Sequence, residues 1–422
     1  MKTAGIIAEY NPFHNGHKYQ IEQVKEETGA DFVVIAMSGD FVQRGTPAVL
    51  DKHTRTKAAL LSGADLVFEL PVTAACASAE YFAAAGVELL GKTGIVDVIC
   101  YGCETENKEL MDALVFALTE EADCFSHIIS DALKRGYTYP RARQEALCEF
   151  LPAWDDEEIA GFLSSPNNIL ALEYEKAIAC WNKTHSHKLY GHSVLRVGEG
   201  YYSTDVHAEF ISATAIRKKV FDTPAPFLLY ATLHSRIPYA SLSALVNAKR
   251  RNQLADMDAF SSALFLRLLF LQESGYEKFA DCSPSLSGKI QNELWQYLGF
   301  RPFAALLNSK ELTYSRVCRV LLHILLGITD EDYKQIKTGE GISYLRMLGF
   351  KKQASSLLSA ISKKASVPLV SKVADASQIL DEKAMQQFGK DLYAAELYRG
   401  VISTQCNEVL SNEYTTALVI VP

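Results

Sequence analysis

The stretch Thr3–Gln20, TAGIIAEYNPFHNGHKYQ, decides the fold of this chain. It opens with a short, continuous apolar run at Thr3–Ala8, passes through the turn EYNPFHNGH and continues as a helical segment from about His17 to Glu27. A buried strand followed directly by a turn and a helix predicts the start of a β-α-β unit. Two histidines, His14 and His17, stand three residues apart where the helix begins.

The same alternation of strand and helix continues along the first half. Buried strands are predicted at Phe32–Met37, Asp65–Leu70 and Ile95–Tyr101, and helices at Asp51–Leu61, with Asp51 as N-cap, and at Ala74–Leu90. Buried strands separated by helices indicate an α/β fold, a parallel sheet with helices on both faces. The first strand should lie centrally, and ligands bind at the carboxyl ends of such strands. The turn EYNPFHNGH lies at that end.

The pattern changes near Asp222, inside the turn-rich segment DTPAPF. Helical periodicity then dominates, at Ala259–Leu271, Lys289–Leu298, Ser315–Leu326, Gln353–Ile361 and Asp381–Leu397. We therefore predict an α/β domain over 1–220 and a mainly α-helical domain over 221–422. The β-like stretch Thr415–Val421 is expected to return to a small sheet.

Composition places the chain among globular proteins of the cytoplasm. Of 422 residues, 48% are hydrophobic and 22% charged, enough to bury sizeable cores. Apolar runs fall short of the roughly 18 residues that a membrane span needs, and the start MKTAGIIAEY has no secretory features. Nine scattered cysteines are typical of reduced thiols.

Charge is distributed unevenly. Residues 221–422 carry 22 Lys and Arg against 19 Asp and Glu, although the whole chain has a net charge of −8. Tyr333–Lys372 contains eight basic residues and the single acid Glu340. Such a stretch is typical of a surface that attracts phosphate backbones, or of an ordinary solvated lysine-rich helix face.

The H-N-G-H motif predicts a phosphate site. At the start of a helix, unpaired backbone N–H groups and the helix dipole favour an anion. Gly16 lets a nucleotide approach the backbone, and Asn11 and Pro12 shape the turn. A pair of ordinary turn histidines is the structural alternative, and the position directly after the first strand favours the functional interpretation.

A second motif, ISATAIRKK at Ile211–Lys219, supports the same chemistry. Ser212 and Thr214 offer N-cap hydroxyls, and Arg217 offers a cation that can meet a triphosphate. The alternative is an ordinary capped helix with exposed basic residues.

Together the two motifs resemble the nucleotidyltransferase superfamily related to class I aminoacyl-tRNA synthetases, which has a Rossmann-like fold (the HUP class). The segments MSGDFVQRGTPAVLDKHTRTKAALLSGADLVFELP, GYTYPRAR, SPNNILALEY and LRVGEGYYS narrow the resemblance to the bacterial tRNA(Met) cytidine acetate ligases. That resemblance implies a ligase that activates acetate with ATP to acetyl-adenylate. It then acetylates the exocyclic N4 amine of the wobble cytidine of elongator tRNA(Met), giving N4-acetylcytidine.

The resemblance also implies site residues. The ATP-lining set comprises Ile7, Ala8, Glu9, Tyr10, Asn11, Pro12, Phe13, His14, Asn15, Gly16, His17, Lys18, Tyr19, Gln20, Gly102, Asn167, Arg196 and Val197. Asp40 stands where asparagine is expected in many relatives. From the residue chemistry, His14, His17, Ser212, Thr214 and Arg217 are predicted to stabilise the leaving pyrophosphate.

RNA contacts and cofactors complete the prediction. The basic residues expected to hold the tRNA backbone are Lys249, Arg250, Arg251, Lys351, Lys352, Lys363 and Lys364. Mg²⁺ is expected to arrive with ATP, held mainly by phosphates and water. No protein-bound metal is expected, since Cys100 and Cys103 lack a second ligand pair. A homo-oligomer is compatible with the sequence.

Two other functions remain open from the residues alone. A small-molecule adenylyltransferase shares both ATP motifs, and a non-catalytic RNA-binding protein could carry a degenerate nucleotide site. Glu9 could orient a histidine or Mg²⁺, or serve as an ordinary carboxylate at a strand end. Acetate-dependent release of pyrophosphate would separate the ligase from both rivals.

Overall fold

The computed structural model describes residues 1–119, 122–137, 139–196, 211–310 and 312–422. Within these ranges the strands are β1 (Thr3–Ala8), β2 (Phe32–Ser38), β3 (Phe41–Val42), β4 (Thr46–Pro47), β5 (Leu66–Leu70), β6 (Val98–Cys103), β7 (Tyr190–Leu195), β8 (Leu345–Lys351), β9 (Leu369–Val370) and β10 (Val419–Val421).

Helices surround these strands. The first half contains α1 (Asn15–Thr28), α2 (Lys52–Leu61), α3 (Val72–Ala75), α4 (Ala79–Lys92), α5 (Lys108–Thr119), α6 (Ala122–Lys134), α7 (Tyr139–Phe150), α8 (Asp156–Ser164), α9 (Pro166–Thr184) and α10 (Ala213–Asp222). The second half contains α11 (Pro226–Leu233), α12 (Tyr239–Arg250), α13 (Ser261–Leu271), α14 (Pro284–Glu293), α15 (Phe300–Leu307), α16 (Tyr314–Leu326), α17 (Asp330–Lys337), α18 (Ser355–Lys364), α19 (Ala376–Ile379) and α20 (Glu382–Cys406). Short 3₁₀ turns lie at Met257–Phe260, Leu294–Gln296, Lys352–Ala354 and Val373–Asp375.

The main sheet has the strand order β10-β8-β5-β2-β1-β6-β7, with β9 beside β8. Strand β1 pairs in parallel with β2 and β6, β2 with β5, and β6 with β7. These five strands therefore have the doubly wound Rossmann-like order, and the direction of winding reverses between β1 and β6. The predicted α/β fold with a central first strand is confirmed.

Alternation along the strands gives the sheet two buried faces. Ile6 and Ile35 point towards one side, where they pack with Ile21 of α1. Ile7 and Val34 point to the other side and belong to the large core that includes α4 and α9. A methyl group added at Gly86 of α4 would come within 2.7 Å of Ile7, so this glycine lets the helix lie close against the sheet. Both faces of the parallel strands are thus covered.

The second half of the chain adds strands to the same sheet. Strand β8 pairs antiparallel with β5, and β10 pairs in parallel with β8. The sequence pattern did not predict β8. It predicted a return to β structure, in a small sheet, near the end of the chain; β10 joins the main sheet, where β8 offers it an open edge.

A small core of its own forms beside the sheet from α10, α11 and α12. It contains Ile216, Leu229 and Leu245 together with Val49 and Leu50 from the loop after β4. This core crosses the sequence position proposed as a domain boundary. The division into 1–220 and 221–422 stays a prediction. In the described part of the chain, no helix combines the length and the apolar character that crossing a membrane would require.

Candidate active site

A pocket lies at the carboxyl ends of β1, β6 and β7, at the point where the winding direction reverses. It is lined by His14, Gly16, His17, Tyr19, Gln20, Gly102, Val194, Leu195, Arg196, Ile211 and Ser212. The residues come from the start of α1, the end of β6, the end of β7 and the start of α10. In doubly wound sheets this crevice is where ligands bind.

The two histidines of the first motif close the start of α1. His14 is the N-cap residue, and its Nδ1 atom accepts a hydrogen bond of 3.1 Å from the backbone N–H of Gly16. The Nδ1 atom of His17 accepts one of 3.3 Å from the backbone N–H of His14. The two rings stack with centroids 3.7 Å apart. This reciprocal arrangement is a capping box in which imidazoles replace the usual hydroxyl and carboxylate.

Both histidines are neutral at physiological pH. Burial lowers the pKa of His14 to about 3, assisted by the nearby cations of Arg196 and Arg217. Burial, His14 and Arg196 also lower the pKa of His17 well below its ordinary value. Because each Nδ1 atom accepts a hydrogen bond, the proton of each neutral ring sits on Nε2. The site therefore carries two imidazole N–H donors and two guanidinium cations.

Gly16 leaves room for the ring of His14, which caps the same helix. A methyl group at residue 16 would lie 3.0 Å from Cε1 of His14 and 3.1 Å from its Nδ1. A side chain there would thus push the capping ring away from α1. The sequence had attributed this glycine to close approach of a nucleotide, and the capping ring supplies a second reason.

The turn between β1 and α1 has an unusual backbone. Tyr10 has φ of 48°, and the Asn11–Pro12 peptide bond is cis. The side-chain oxygen of Asn11 accepts a 2.8 Å hydrogen bond from the N–H of Val49. The bond to Val49 joins this turn to the loop after β4.

The second motif lies at the start of α10, across the pocket. Ser212 is the N-cap, and its hydroxyl accepts a 3.1 Å hydrogen bond from Ala215 N–H. Arg217 donates to the carbonyl oxygen of Asn11 at 2.6 Å and to the hydroxyl of Thr214 at 3.2 Å. The guanidinium therefore links α10 to the turn after β1. The structure brings both motifs to one site although about 200 residues separate them in the chain.

The far side of the pocket is built by β6 and β7. The N–H of Arg196 donates to the carbonyl of Cys103 at 2.9 Å. A methyl group at Gly102 would lie 3.2 Å from Cγ of Arg196, so the glycine leaves room for this side chain. Asn167, at the start of α9, donates to Glu104 directly after β6 and is not among the lining residues.

Several predicted ATP-lining residues are part of the framework. Tyr10 and Phe13 are fully buried, and their rings meet edge to face with centroids 4.8 Å apart. The residues Ile7, Ala8, Glu9, Asn11, Pro12, Asn15 and Lys18 also lie outside the pocket lining. Their assignment to ATP stays a prediction. Val197 lies outside the described residues, as does most of the segment LRVGEGYYS.

Glu9 and Asp40 both hold neighbouring backbone. The carboxylate of Glu9 accepts a 3.0 Å hydrogen bond from Gln43 N–H. Asp40 is buried and accepts one of 2.8 Å from the N–H of Lys52, the first residue of α2. Burial raises the pKa of Asp40 to about 6, and the Lys52 ammonium opposes that rise.

The predicted RNA-binding residues form two separate groups. Lys351 lies at the end of β8 and pairs with Asp65 at 3.5 Å, so it stands at the amino edge of the parallel strands. Lys364 lies at the same edge of the sheet. Two residues after it, the backbone N–H of Ser366 donates to the carbonyl oxygen of Lys92, which precedes β6. Lys352 and Lys363 are exposed beside them. This group is on the opposite edge of the sheet from the pocket.

The other basic group lies at the end of α12. Lys249 is partly buried and donates to the carbonyl of Val220 at 2.7 Å. Arg250 is exposed, and Arg251 pairs with Glu408 at 2.6 Å.

Sequence reasoning missed three apolar lining residues, Val194, Leu195 and Ile211. The first two end β7, an edge strand whose polar, partly exposed sequence YGHSVL does not read as a buried strand. A signal for Ile211 was available, since an apolar residue directly before an N-cap commonly packs against the helix. Within the described ranges, no group of three or more potential metal ligands occurs.

Comparison with known proteins identifies the class first. A sequence model described as HIGH nucleotidyl transferase matches residues 1–413. The histidine pair at the start of α1 and the Rossmann-like sheet agree with that class.

Relatives then identify the particular family. The tRNA(Met) cytidine acetate ligase of Acetivibrio thermocellus is 33% identical over 422 residues, covering 100% of both chains. That of a Thermoanaerobacter species is 35% identical and covers 94% of this chain and 95% of its own. The chain belongs to the tRNA(Met) cytidine acetate ligase family, which confirms the resemblance drawn from its motifs.

Solved structures agree over the full length. The apo crystal structure of Thermotoga maritima TmcAL has a TM-score of 0.91 at 28% identity, covering 100% of this chain and 99% of that one. The same Thermotoga protein bound with alpha-thio ATP has a TM-score of 0.90 at 27% identity.

Proposed function

We propose that this chain is an ATP-dependent ligase that acetylates the wobble cytidine of elongator tRNA(Met). The observation that carries the proposal is the pair of neutral N–H donors on His14 and His17, set beside Arg196 at the switch-point pocket, with the Arg217 cation near His14. Membership of the acetate ligase family supports the reaction, and the geometry of the pocket supports these residues as the ones that stabilise the leaving group.

In the first step an acetate oxygen attacks the α-phosphorus of ATP. The bond from that phosphorus to the bridging oxygen breaks, and pyrophosphate leaves with its growing negative charge. Neutral Nε2–H donors and fixed guanidinium groups stabilise that charge without having to reorganise. The N-terminal ends of α1 and α10, on either side of the pocket, add the partial positive charge of their helix dipoles. No nucleophilic side chain is needed.

In the second step the exocyclic amine of cytidine attacks the carbonyl carbon of acetyl-adenylate. The mixed anhydride bond breaks, AMP leaves and the nitrogen loses a proton. A wobble base lies in a single-stranded loop and can leave its stack at small cost. Mg²⁺ enters with ATP, held mainly by the phosphates and water. A tRNA substrate places the enzyme in the cytoplasm.

The decisive test is product formation by the full chain. Protein is mixed with ATP and isotopically labelled acetate, with and without tRNA(Met), and pyrophosphate, acetyl-AMP and digested nucleosides are measured. We expect acetate-dependent pyrophosphate release and labelled N4-acetylcytidine. Pyrophosphate release that ignores acetate would indicate an adenylyltransferase for another substrate and contradict the proposal.

Replacing one histidine tests the site assignment. His17→Ala removes one donor to the leaving group, so acetate-dependent ATP–pyrophosphate exchange should fall by about a hundred- to thousandfold. The matched control is His127→Ala, since His127 is exposed on α6 and belongs to no described part of the pocket. Exchange at the unaltered rate in His17→Ala would refute the assignment.

A further inference from the structure

Helix α11 presents an aromatic face to solvent next to the active site. Phe227, Tyr230, Ala231 and His234 follow one another at helical spacing, and all four are exposed. Phe227 is 71% exposed and Tyr230 47%. The rings of Tyr230 and His234 lie nearly parallel, 16° apart, with centroids 6.1 Å from each other. The opposite face is anchored, because Leu229 and Leu233 are fully buried.

The end of this face contacts the start of α1. The side-chain amide of Asn15 donates a 3.2 Å hydrogen bond to the carbonyl of Ser235, directly after His234. Asn15 stands between two pocket-lining residues, His14 and Gly16. The C-terminal end of the aromatic face is therefore joined to the start of α1, whose first turn carries two pocket-lining histidines.

The surrounding segment is strongly basic. Residues 211–251, which contain α10, α11 and α12, carry seven Lys and Arg and one acid, Asp222. Exposed rings within a positively charged surface are the combination that binds single-stranded nucleic acid, since rings stack on bases and cations contact phosphates. Tyr239, 76% exposed at the start of α12, extends the aromatic surface.

We propose that the face Phe227, Tyr230 and His234, with Tyr239 beside it, stacks unpaired bases that flank the reacting cytidine. The proposal rests on the RNA substrate proposed above and names the surface that receives its loop. When the target base turns into the pocket, its neighbours lose a stacking partner. The rings of α11 replace that partner beside the start of α1, whereas the lysines at the opposite edge of the sheet contact more distant parts of the tRNA.

The test compares Phe227→Ala and Tyr230→Ala with Phe270→Ala. Phe270 is 82% exposed on α13 and serves as the matched control. Loss of one stacking ring should weaken tRNA(Met) binding by about five- to hundredfold and raise the KM for tRNA similarly. Acetate-dependent pyrophosphate exchange, which uses no RNA, should continue in both α11 variants and thereby report an intact fold. Tyr230→Phe, which keeps the ring, should bind like the wild type.

Salt dependence separates stacking from charge. The α11 variants should lower affinity at every salt concentration with the slope of log Kd against log salt unchanged, whereas Arg250→Glu should reduce that slope. Unchanged tRNA binding in both α11 variants, or an equal loss in Phe270→Ala, would overturn the proposal. The proposal would also be overturned if light scattering showed that the wild type is a dimer and that the α11 variants are monomers with unchanged RNA affinity.

Failure of the proposed function has a different signature. A wild-type protein that binds tRNA but forms no N4-acetylcytidine would refute the ligase assignment, and the stacking surface would still be tested by binding alone.

Discussion

At the scale of single residues, the site uses histidine as a neutral hydrogen-bond donor. The backbone N–H of Gly16 donates a hydrogen bond to Nδ1 of His14, and the backbone N–H of His14 donates one to Nδ1 of His17. Burial and neighbouring cations keep both rings unprotonated. The capping geometry of α1 thus determines which nitrogen carries the proton, and with it what the ring can offer a phosphate.

This arrangement predicts the protonation of both rings. Spectra of ¹⁵N-histidine-labelled protein, assigned with His17→Ala, should show the Nε2–H tautomer for His14 and His17 at pH 7. Neither ring should titrate near 6.5, because the pKa of His14 is lowered to about 3 by burial. A titration of either ring between pH 6 and 7, or an Nδ1–H tautomer, would contradict the model of the site.

The sign of the pH effect on stability follows from the same shift. The pKa of His14 is lower in the folded chain than its ordinary value of 6.5, so the unfolded chain takes up a proton first as the pH falls. The contribution of this residue to the free energy of unfolding is fully present above about pH 6.5 and is lost as the pH falls towards 3.

At the scale of elements, the short hairpin β3–β4 shows how closely the second half packs against the first. Gly45 in its turn has φ of 74°, and a methyl group there would lie 2.4 Å from the backbone nitrogen of Arg319 in α16. Gly29, at the end of α1, has a similar φ of 65° but open space around it. The two glycines therefore differ in their surroundings and share a backbone conformation.

Alanine at each position separates the two effects. Gly29→Ala should lower the free energy of unfolding by about 1–2 kcal/mol, from the left-handed backbone alone. Gly45→Ala should cost about 1–3 kcal/mol more, because α16 must also move. Urea unfolding of both variants measures the difference. Equal losses would mean that the hairpin does not press on α16.

The elements that sequence predicted best are those with strong local signals. Strand β1 has the predicted bounds, and α2 begins after its predicted N-cap Asp51, whose side chain accepts from Thr54 N–H at 2.9 Å. Strand β8, LRMLGFK, was missed because it lies between predicted helices and its pairing with β5 joins segments that are far apart in the sequence. Strand β7 was missed because edge strands can be polar on both faces.

The residues of the candidate site also fall into those that local sequence patterns predict and those that they do not. Its motif residues were predictable because capping and phosphate binding depend on local spacing. The role of Gly102 beside Arg196 depends on the pairing of β6 with β7, and no local pattern carries that information.

At the scale of the whole molecule, a buried ionic cluster joins the two halves. The ammonium of Lys52 lies 2.8 Å from the carboxylate of Glu69 and 3.1 Å from that of Glu413. Glu413 also pairs with His53 at 3.0 Å and with Arg346 at 3.3 Å. Nearby cations, Lys52 foremost, lower the pKa of Glu413 against the effect of its burial. Segments from α2, β5, β8 and the loop before β10 thus share one set of charges.

Removing the charge of Glu413 should therefore destabilise the entire fold. Glu413→Gln leaves Arg346 and Lys52 short of a buried counter-charge, at a cost of roughly 3–5 kcal/mol. The control Asp131→Ala breaks an ion pair whose partners are 73% and 69% exposed, and it should leave stability nearly unchanged. Chemical denaturation at pH 7 measures both variants.

The pH dependence gives a second criterion. Because the pKa of Glu413 is lower in the folded state, its stabilising effect is present above the ordinary value of 4.5 and disappears as the pH falls below it. The difference in the free energy of unfolding between wild type and Glu413→Gln should become smaller as the pH falls. A gap that is absent at pH 7 would show that the cluster does not join the halves energetically.

The position of β10 has a consequence for biosynthesis. Glu413 and Val419–Val421 are translated after their partners. While this segment is still in the ribosome tunnel, the edge of β8 that pairs with β10 is open. Lys52 and Arg346 then also lack one of their counter-ions. Assembly of this sheet is thus finished only after release of that segment. During translation, chaperones that shield exposed strand edges could act on β8 until Val419–Val421 has left the tunnel.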